Sequence, residues 1–197
     1  MPRPKSYDRQ DAVVKACNAF WDHGFQDLGV RELERLTGLN QFAIRSEFGG
    51  KEGLYVEALN YYCKAAITTK MVPMKQGRIP EVITFFEGLV TPGSITSSDN
   101  GCLIVNTGIE NARFKSPGLA TIARCYWKTL EEHFYCALEN EMSAQDDKAI
   151  FSTKILAASL IPAVMGVHAQ NRSRQDQTAG RPLVDLMCSV LRGYQHS

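Results

Sequence analysis

At 197 residues the chain fits one large domain or two small ones, and with 44% hydrophobic and 22% charged residues it can build a buried core, which excludes a wholly disordered protein. Its net charge of +1 excludes a polycation that coats nucleic acid indiscriminately, so any DNA contact has to be local. No apolar run reaches the roughly 18 residues of a membrane span, and the longest, Ile155 to Val167, is interrupted by Pro162, so no membrane partner is expected. The basic start from Met1 to Tyr7 leads into no apolar stretch, so it does not read as a secretory signal, and a cytoplasmic location is expected. Cys17, Cys63, Cys102, Cys125, Cys136 and Cys188 stand without CxxC or short Cys/His spacings. That pattern argues against a disulfide framework and a zinc site; most of these thiols are expected to be reduced core residues, and no cofactor is implied.

In chain order, almost every periodic segment repeats at the helical spacing and none alternates as a strand does, which predicts an all-α fold of about nine helices. The arm from residue 1 to residue 10 carries Arg3, Lys5 and Arg9 against Asp8. Val13, Ala16, Cys17 and Phe20 give a first helix one apolar face and the helix ends near Gly24. Val30, Leu33 and Leu36 mark a short second helix. Thr37-Gly38-Leu39-Asn40 then makes a tight connection, with Gly38 suited to positive φ and Asn40 to an N-cap. A third short helix runs from Gln41 to Phe48, Gly49-Gly50 breaks the chain, and Lys51 opens a longer helix with Leu54, Tyr55, Ala58, Leu59 and Tyr62 on one face.

From Met71 to Pro80 the pattern fades into Pro and Gly, which reads as the boundary between a small N-terminal domain and a larger second one. Beyond it come a helix from Glu81 to Val90, a polar loop from Thr91 to Gly101, and a helix from Cys102 to about Phe114. A long stripe through Leu119, Tyr126, Leu130 and Phe134 ends near Met142. Another long helix spans roughly Asp146 to Arg172, kinked or interrupted at Pro162. Leu183, Leu186, Met187, Val190, Leu191 and Tyr194 line a final helix.

Two short helices joined by a Gly-containing turn within about 20 residues form the helix-turn-helix pattern, whose second helix can lie in a major groove. The alternative from periodicity alone is a helical hairpin inside any all-α domain. The run Ala19-Phe20-Trp21-Asp22-His23-Gly24-Phe25, then Leu33, Leu36-Thr37-Gly38-Leu39, Ile44 and Phe48-Gly49-Gly50-Lys51-Glu52-Gly53-Leu54 resembles the TetR/AcrR family of bacterial transcriptional regulators. Gly101-Cys102-Leu103-Ile104-Val105-Asn106 resembles a segment of one branch of that family. The resemblance implies a helix-turn-helix DNA-binding domain over residues 1–52 and a helical effector-binding and dimerisation domain over 53–197. It implies a homodimer paired through the last two helices, binding a palindromic double-stranded DNA operator. Repression relieved by a small-molecule effector, or by an oxidant or electrophile acting on a thiol, completes the family pattern, and such a regulator is nucleoid-associated when bound.

Three departures fall where the family touches DNA: Leu28 stands where a hydroxyl residue is common, Phe42 where a small residue is common, and Arg45 in place of a tyrosine. Arg45 suits a phosphate or, in bidentate fashion, a guanine edge; Phe42 suits a thymine methyl or packing against the helix pair. Lys51 matches the family's backbone-binding lysine at a helix start. Gln41 and Ser46 are candidate base readers. Arg31 and Arg35 are candidate phosphate contacts, or partners of Glu32, Glu34 or Asp27. Arg3 and Lys5 follow the backbone or enter a minor groove, or have no role.

For the effector, candidate residues are Phe86, Asn106, Tyr126, Trp127 and His168, with plain core packing as the alternative for the aromatics. Cys102 follows a loop and opens a helix, a position that lowers a thiol pKa; the alternative is a small buried residue. No triad, H-E-x-x-H or phosphate-cradling loop appears, so an enzyme is not expected, and Glu131-Glu132-His133 reads as solvated charge. The remaining rival is a helical ligand-binding or thiol-sensing dimer that has lost specific DNA binding.

Overall fold

The computed structural model describes residues 7–94, 97–143 and 152–195. Among them every regular element is a helix: α1 (Arg9–His23), α2 (Val30–Thr37), α3 (Gln41–Phe48), α4 (Lys51–Ala66), α5 (Val72–Gln76), α6 (Ile79–Gly88), α7 (Leu103–Phe114), α8 (Pro117–Met142), α9 (Thr153–Arg174) and α10 (Arg181–Gln195). A π-helical turn, Ile67–Met71, carries α4 directly into α5, so the described residues form nine continuous helical runs, as expected. None is long and apolar enough to cross a membrane.

The chain forms two compact units. One comprises residues 1–64 and 106–123, the other 65–105 and 124–197. The first unit thus runs past the boundary that the resemblance implies after residue 52 and takes in all of α7 but its first three residues, together with the start of α8.

In the first unit, local chemistry sets the helix ends. Asp8 accepts the Asp11 N–H and starts α1, and Asn40 Oδ1 accepts the Ala43 N–H at 2.8 Å and starts α3. Between α2 and α3 the chain reverses at Gly38, whose φ of +74° is a left-handed conformation that a Cβ would penalise. Thr37 locks that turn: its hydroxyl donates to the Leu33 carbonyl at 2.6 Å and accepts the Leu39 N–H at 3.2 Å. Phe20, Leu33, Ile44, Leu54, Tyr55 and Leu59 are all buried to within 2% of completely. Each such side chain contributes about 1.5–3 kcal/mol relative to exposure. The Tyr55 ring lies 4.5 Å from Phe20 and 5.0 Å from Phe25, and its hydroxyl bonds Thr107 at 2.7 Å, which joins α4 to α7.

The second unit is built around Val82, Phe85 and Phe86 of α6, Leu130 and Phe134 of α8, Leu160 and Val167 of α9, and Val184 and Leu191 of α10. Asn171, wholly buried, donates to the Leu89 carbonyl at 3.2 Å and accepts the Gly180 N–H at 2.9 Å, fixing the turn into α10.

The observed elements differ from expectation in three places. Residues 71–80 contain α5, because Pro73 falls in its first turn, where a missing N–H is harmless. α9 begins at Thr153 and passes through Pro162 without ending; the earlier start expected at Asp146 lies outside the described residues. α10 carries two apolar faces: Val184, Cys188, Leu191 and Tyr194 point inward, whereas Leu186 is 56% exposed and Leu183, Met187 and Val190 are half-buried beside it.

Candidate nucleic-acid interface

α3 divides cleanly into two arcs. Ala43, Ile44 and Phe48 face the core, and Gln41, Phe42, Arg45 and Ser46 are exposed on the opposite arc, with Phe42 at 79%. The packing alternative for Phe42 is thereby removed. Leu28, one of the three departures, is 2% exposed and belongs to the core, so it is no part of the surface that α3 presents.

The N-terminus of α3 is satisfied from within the protein: besides the Asn40 cap, the Gln41 N–H donates to the Glu34 carboxylate of α2. α2 differs, since Gly29 at its N-cap offers no side-chain acceptor and Arg31 is exposed in its first turn. That open helix start, next to a guanidinium, suits a phosphate. Arg35 is held in a pair with Glu32 at 2.5 Å, as the salt-bridge alternative has it, and the Arg35 hydrogen bond holds the Glu32 carboxyl below the usual carboxylate range.

Lys51 sits at the start of α4 with Nζ 4.6 Å above the Phe25 ring and 3.5 Å from the Gln26 carbonyl oxygen. Burial pushes its pKa down, opposed by the charges of Glu110 and Asp27. Arg9 lies 4.7 Å over the Phe48 ring and pairs with Glu57 at 3.0 Å, clamping the end of α3 from α1 and α4. The Tyr7 hydroxyl donates to the Glu47 carboxylate of α3, and burial together with that bond pushes its pKa up to about 12. The chain at residue 7 is therefore fixed beside α3. Arg3 and Lys5, further along the arm, lie outside the described residues. The Glu47 and Glu34 contacts were not legible as site features in the sequence, where Glu34 read only as a partner of Arg31 or Arg35.

In the second unit, Phe86, Cys102, Tyr126 and His168 are buried and Trp127 is half-buried; Asn106, also buried, belongs to the first unit. Phe86 stacks on Phe134 at 5.9 Å and Tyr126 meets Trp127 edge-on at 5.0 Å. None of these six residues lines the cavity of about 610 Å³ in this unit, which is bounded by Lys75 of α5, Lys128, His133, Tyr135 and Cys136 of α8, and Lys154 of α9. Glu131 and Glu132, expected to be plain solvated charge, also face it. No sequence signal joined these residues, which come from three helices.

These features define a helix-turn-helix protein with a larger helical second unit. No family model matches the chain. Over 60 residues it is 38% identical to the HTH-type transcriptional repressor ComR of Escherichia coli K12, a stretch that spans 30% of this chain and only 29% of ComR. Among solved structures, a TetR-family transcriptional regulator from Cytophaga hutchinsonii superposes with a TM-score of 0.78 at 17% identity, covering 96% of this chain and 98% of its own. A cysteine-substituted CifR, a TetR-family regulator complexed with a 26-bp operator duplex, gives a TM-score of 0.77 at 19% identity, over 98% and 99% of the two chains. The chain has the fold of the TetR family of transcriptional regulators.

Proposed function

We propose that this protein is a sequence-specific transcriptional regulator that acts as a homodimer on a palindromic operator, most simply a repressor released by an effector. The observation that carries the reading is the outward arc of α3: Gln41, Arg45 and Ser46 stand clear of the core on a short helix clamped from behind, as a recognition helix requires. The operator complex of CifR and the repressor ComR support it as relatives in fold and in local sequence. Arg31 at the open start of α2 and Lys51 at the start of α4 take the flanking phosphates. Arg3 and Lys5, outside the described residues, are proposed as further contacts to the duplex backbone or minor groove.

One recognition helix reads too few base pairs to be selective, so two copies are needed. The outward stripe of Leu183, Leu186, Met187 and Val190 on α10 supplies the surface for pairing, together with exposed Ile155 on α9. The effector enters the second unit; the cavity beside α5, α8 and α9 has the volume for a drug-sized molecule and includes the thiol of Cys136. Its occupation shifts the spacing of the two recognition helices, and by reciprocity DNA binding weakens the effector to the same degree. Such a protein works in the cytoplasm on chromosomal DNA, with no catalytic step.

Selection of bound sequences from a random duplex pool, with affinity for the winner measured against salt, tests the reading. A palindromic site whose affinity falls steeply with salt is expected. No enrichment by folded, dimeric, ligand-free protein would overturn it in favour of a ligand-binding dimer.

A further inference from the structure

Phe42 is the most exposed large hydrophobic side chain among the described residues. It plays no part in holding α3, which is packed through Ala43, Ile44 and Phe48 on the other side. Scattered apolar side chains on a surface are ordinary. This one stands inside an otherwise polar reading arc: at 100° per residue the order around α3 is Gln41, Arg45, Phe42, Ser46, all within about 140°. A docked α3 that aims Arg45 at the duplex therefore aims the Phe42 ring at it as well.

Almost every group on a major-groove base edge is a hydrogen-bond donor or acceptor, and covering one with a ring leaves it unsatisfied. The apolar exception is the methyl on C5 of a pyrimidine. We propose that Phe42 reads a pyrimidine 5-methyl group in each operator half-site, and that this apolar contact sets specificity at a position adjacent to the base pair faced by Arg45. The inference rests on the reading of the chain as a sequence-specific DNA-binding dimer. Thymine carries the methyl in ordinary DNA and 5-methylcytosine carries it in modified DNA.

The selected duplex is resynthesised with each thymine replaced in turn by deoxyuridine, which removes the methyl and keeps every hydrogen-bonding group. In a second series each cytosine is replaced in turn by 5-methylcytosine. One position per half-site is expected at which deoxyuridine weakens binding by about fourfold, the effect of burying one methyl-sized group, and by roughly fifteenfold when both half-sites are changed. Phe42→Ala is expected to bind the thymine and deoxyuridine duplexes equally, and Phe42→Leu to keep part of the discrimination. Because the ring is exposed, both variants should melt with wild-type protein. A flat deoxyuridine series with a cytosine whose methylation strengthens binding, an effect lost in Phe42→Ala, assigns the methyl to 5-methylcytosine. An operator bound equally with and without every methyl, or a methyl effect that survives Phe42→Ala, overturns the assignment and leaves the DNA-binding reading intact. Failure to select any sequence overturns both.

Discussion

The carboxylate of Glu110 on α7 accepts the backbone N–H of Phe25 at 2.9 Å, across 85 residues of sequence. That N–H belongs to the connection between α1, which closes at Gly24, and α2, which begins at Val30, so no helix satisfies it. Gly24 permits the approach, since a Cβ there would stand 2.6 Å from Glu110 Oε1. Glu110→Ala is expected to lower stability in urea by about 1–2 kcal/mol by leaving a partly buried donor unpaired, whereas Glu110→Gln, which keeps an acceptor, recovers most of it. Equal midpoints for all three proteins would show that the contact pins nothing.

Gly53, in the first turn of α4, is a second close approach. A Cβ there would lie 1.6 Å from the carbonyl oxygen of Phe48, the last residue of α3, so the obstacle is backbone and not a side chain that can swing aside. Gly53→Ala gains about 1 kcal/mol in helix propensity. The overpacking outweighs it, and a net loss of about 2 kcal/mol is expected in denaturant unfolding, together with weaker operator binding as the end of α3 is displaced. A variant as stable as wild type would mean that α3 and α4 are further apart than the structure has them.

Helices α2 and α3 were legible because their signals are local. Gly38, Asn40 and the inward set Ala43, Ile44 and Phe48 lie within a few residues of one another and each has one structural use. Leu28 was misplaced as a departure at the DNA surface because position in a motif does not reveal burial, and the side chain is core. Pro73 hid α5, since a proline reads as a break unless the helix start just before it is known. The clamp by Glu110 and the cavity between Lys75, Lys128 and Lys154 join residues far apart in sequence, for which periodicity carries no information.

Thiol reactivity follows burial. Cys17, Cys63, Cys102 and Cys188 are buried, Cys136 is half-buried at the cavity and Cys125 is exposed. Burial pushes the Cys17 thiol up to about 12 and raises that of Cys188, leaving little thiolate at neutral pH. Maleimide is therefore expected to label Cys125 first and Cys136 more slowly, with all six reacting only in denaturant, as read by mass spectrometry of peptides. Cys102 does precede a helix, but at 1% exposure it meets a reagent only if the second unit opens. Rapid native labelling of Cys102 would establish such opening and revive it as a sensor.

Acid should destabilise the fold through His168. Its side chain is 4% exposed, Nδ1 has no hydrogen-bond partner among the described residues, and burial pushes its pKa from 6.5 down to about 4. The folded protein holds this ring neutral, while the unfolded chain takes up a proton near pH 6.5, so stability is full above that pH and is lost as pH falls toward 4. At about 1.4 kcal/mol per pH unit, roughly 2 kcal/mol disappears between pH 6.5 and 5. His168→Leu is expected to flatten this part of the profile in urea titrations at pH 7, 6 and 5. A wild-type slope in the variant would assign the acid loss to other groups.

In the proposed interface, Lys51 and Arg45 separate two kinds of DNA contact. Lys51 is held over Phe25 at the start of α4, away from the outward arc of α3, so the contact proposed for its charge is a phosphate, which carries no sequence information. Lys51→Ala is expected to weaken binding to every duplex alike and to reduce the slope of log affinity against log salt by about one for each phosphate that is no longer neutralised. Arg45 stands on the arc itself, exposed between Gln41 and Phe42 around the helix. Arg45→Ala is expected to relax preference at one position of each half-site by about 1–3 kcal/mol, as removal of a bidentate guanine pairing does. Binding measured against all single-base variants of the operator distinguishes the two. Uniform weakening by Arg45→Ala would make it a phosphate ligand, and an unchanged salt slope for Lys51→Ala would remove Lys51 from the interface.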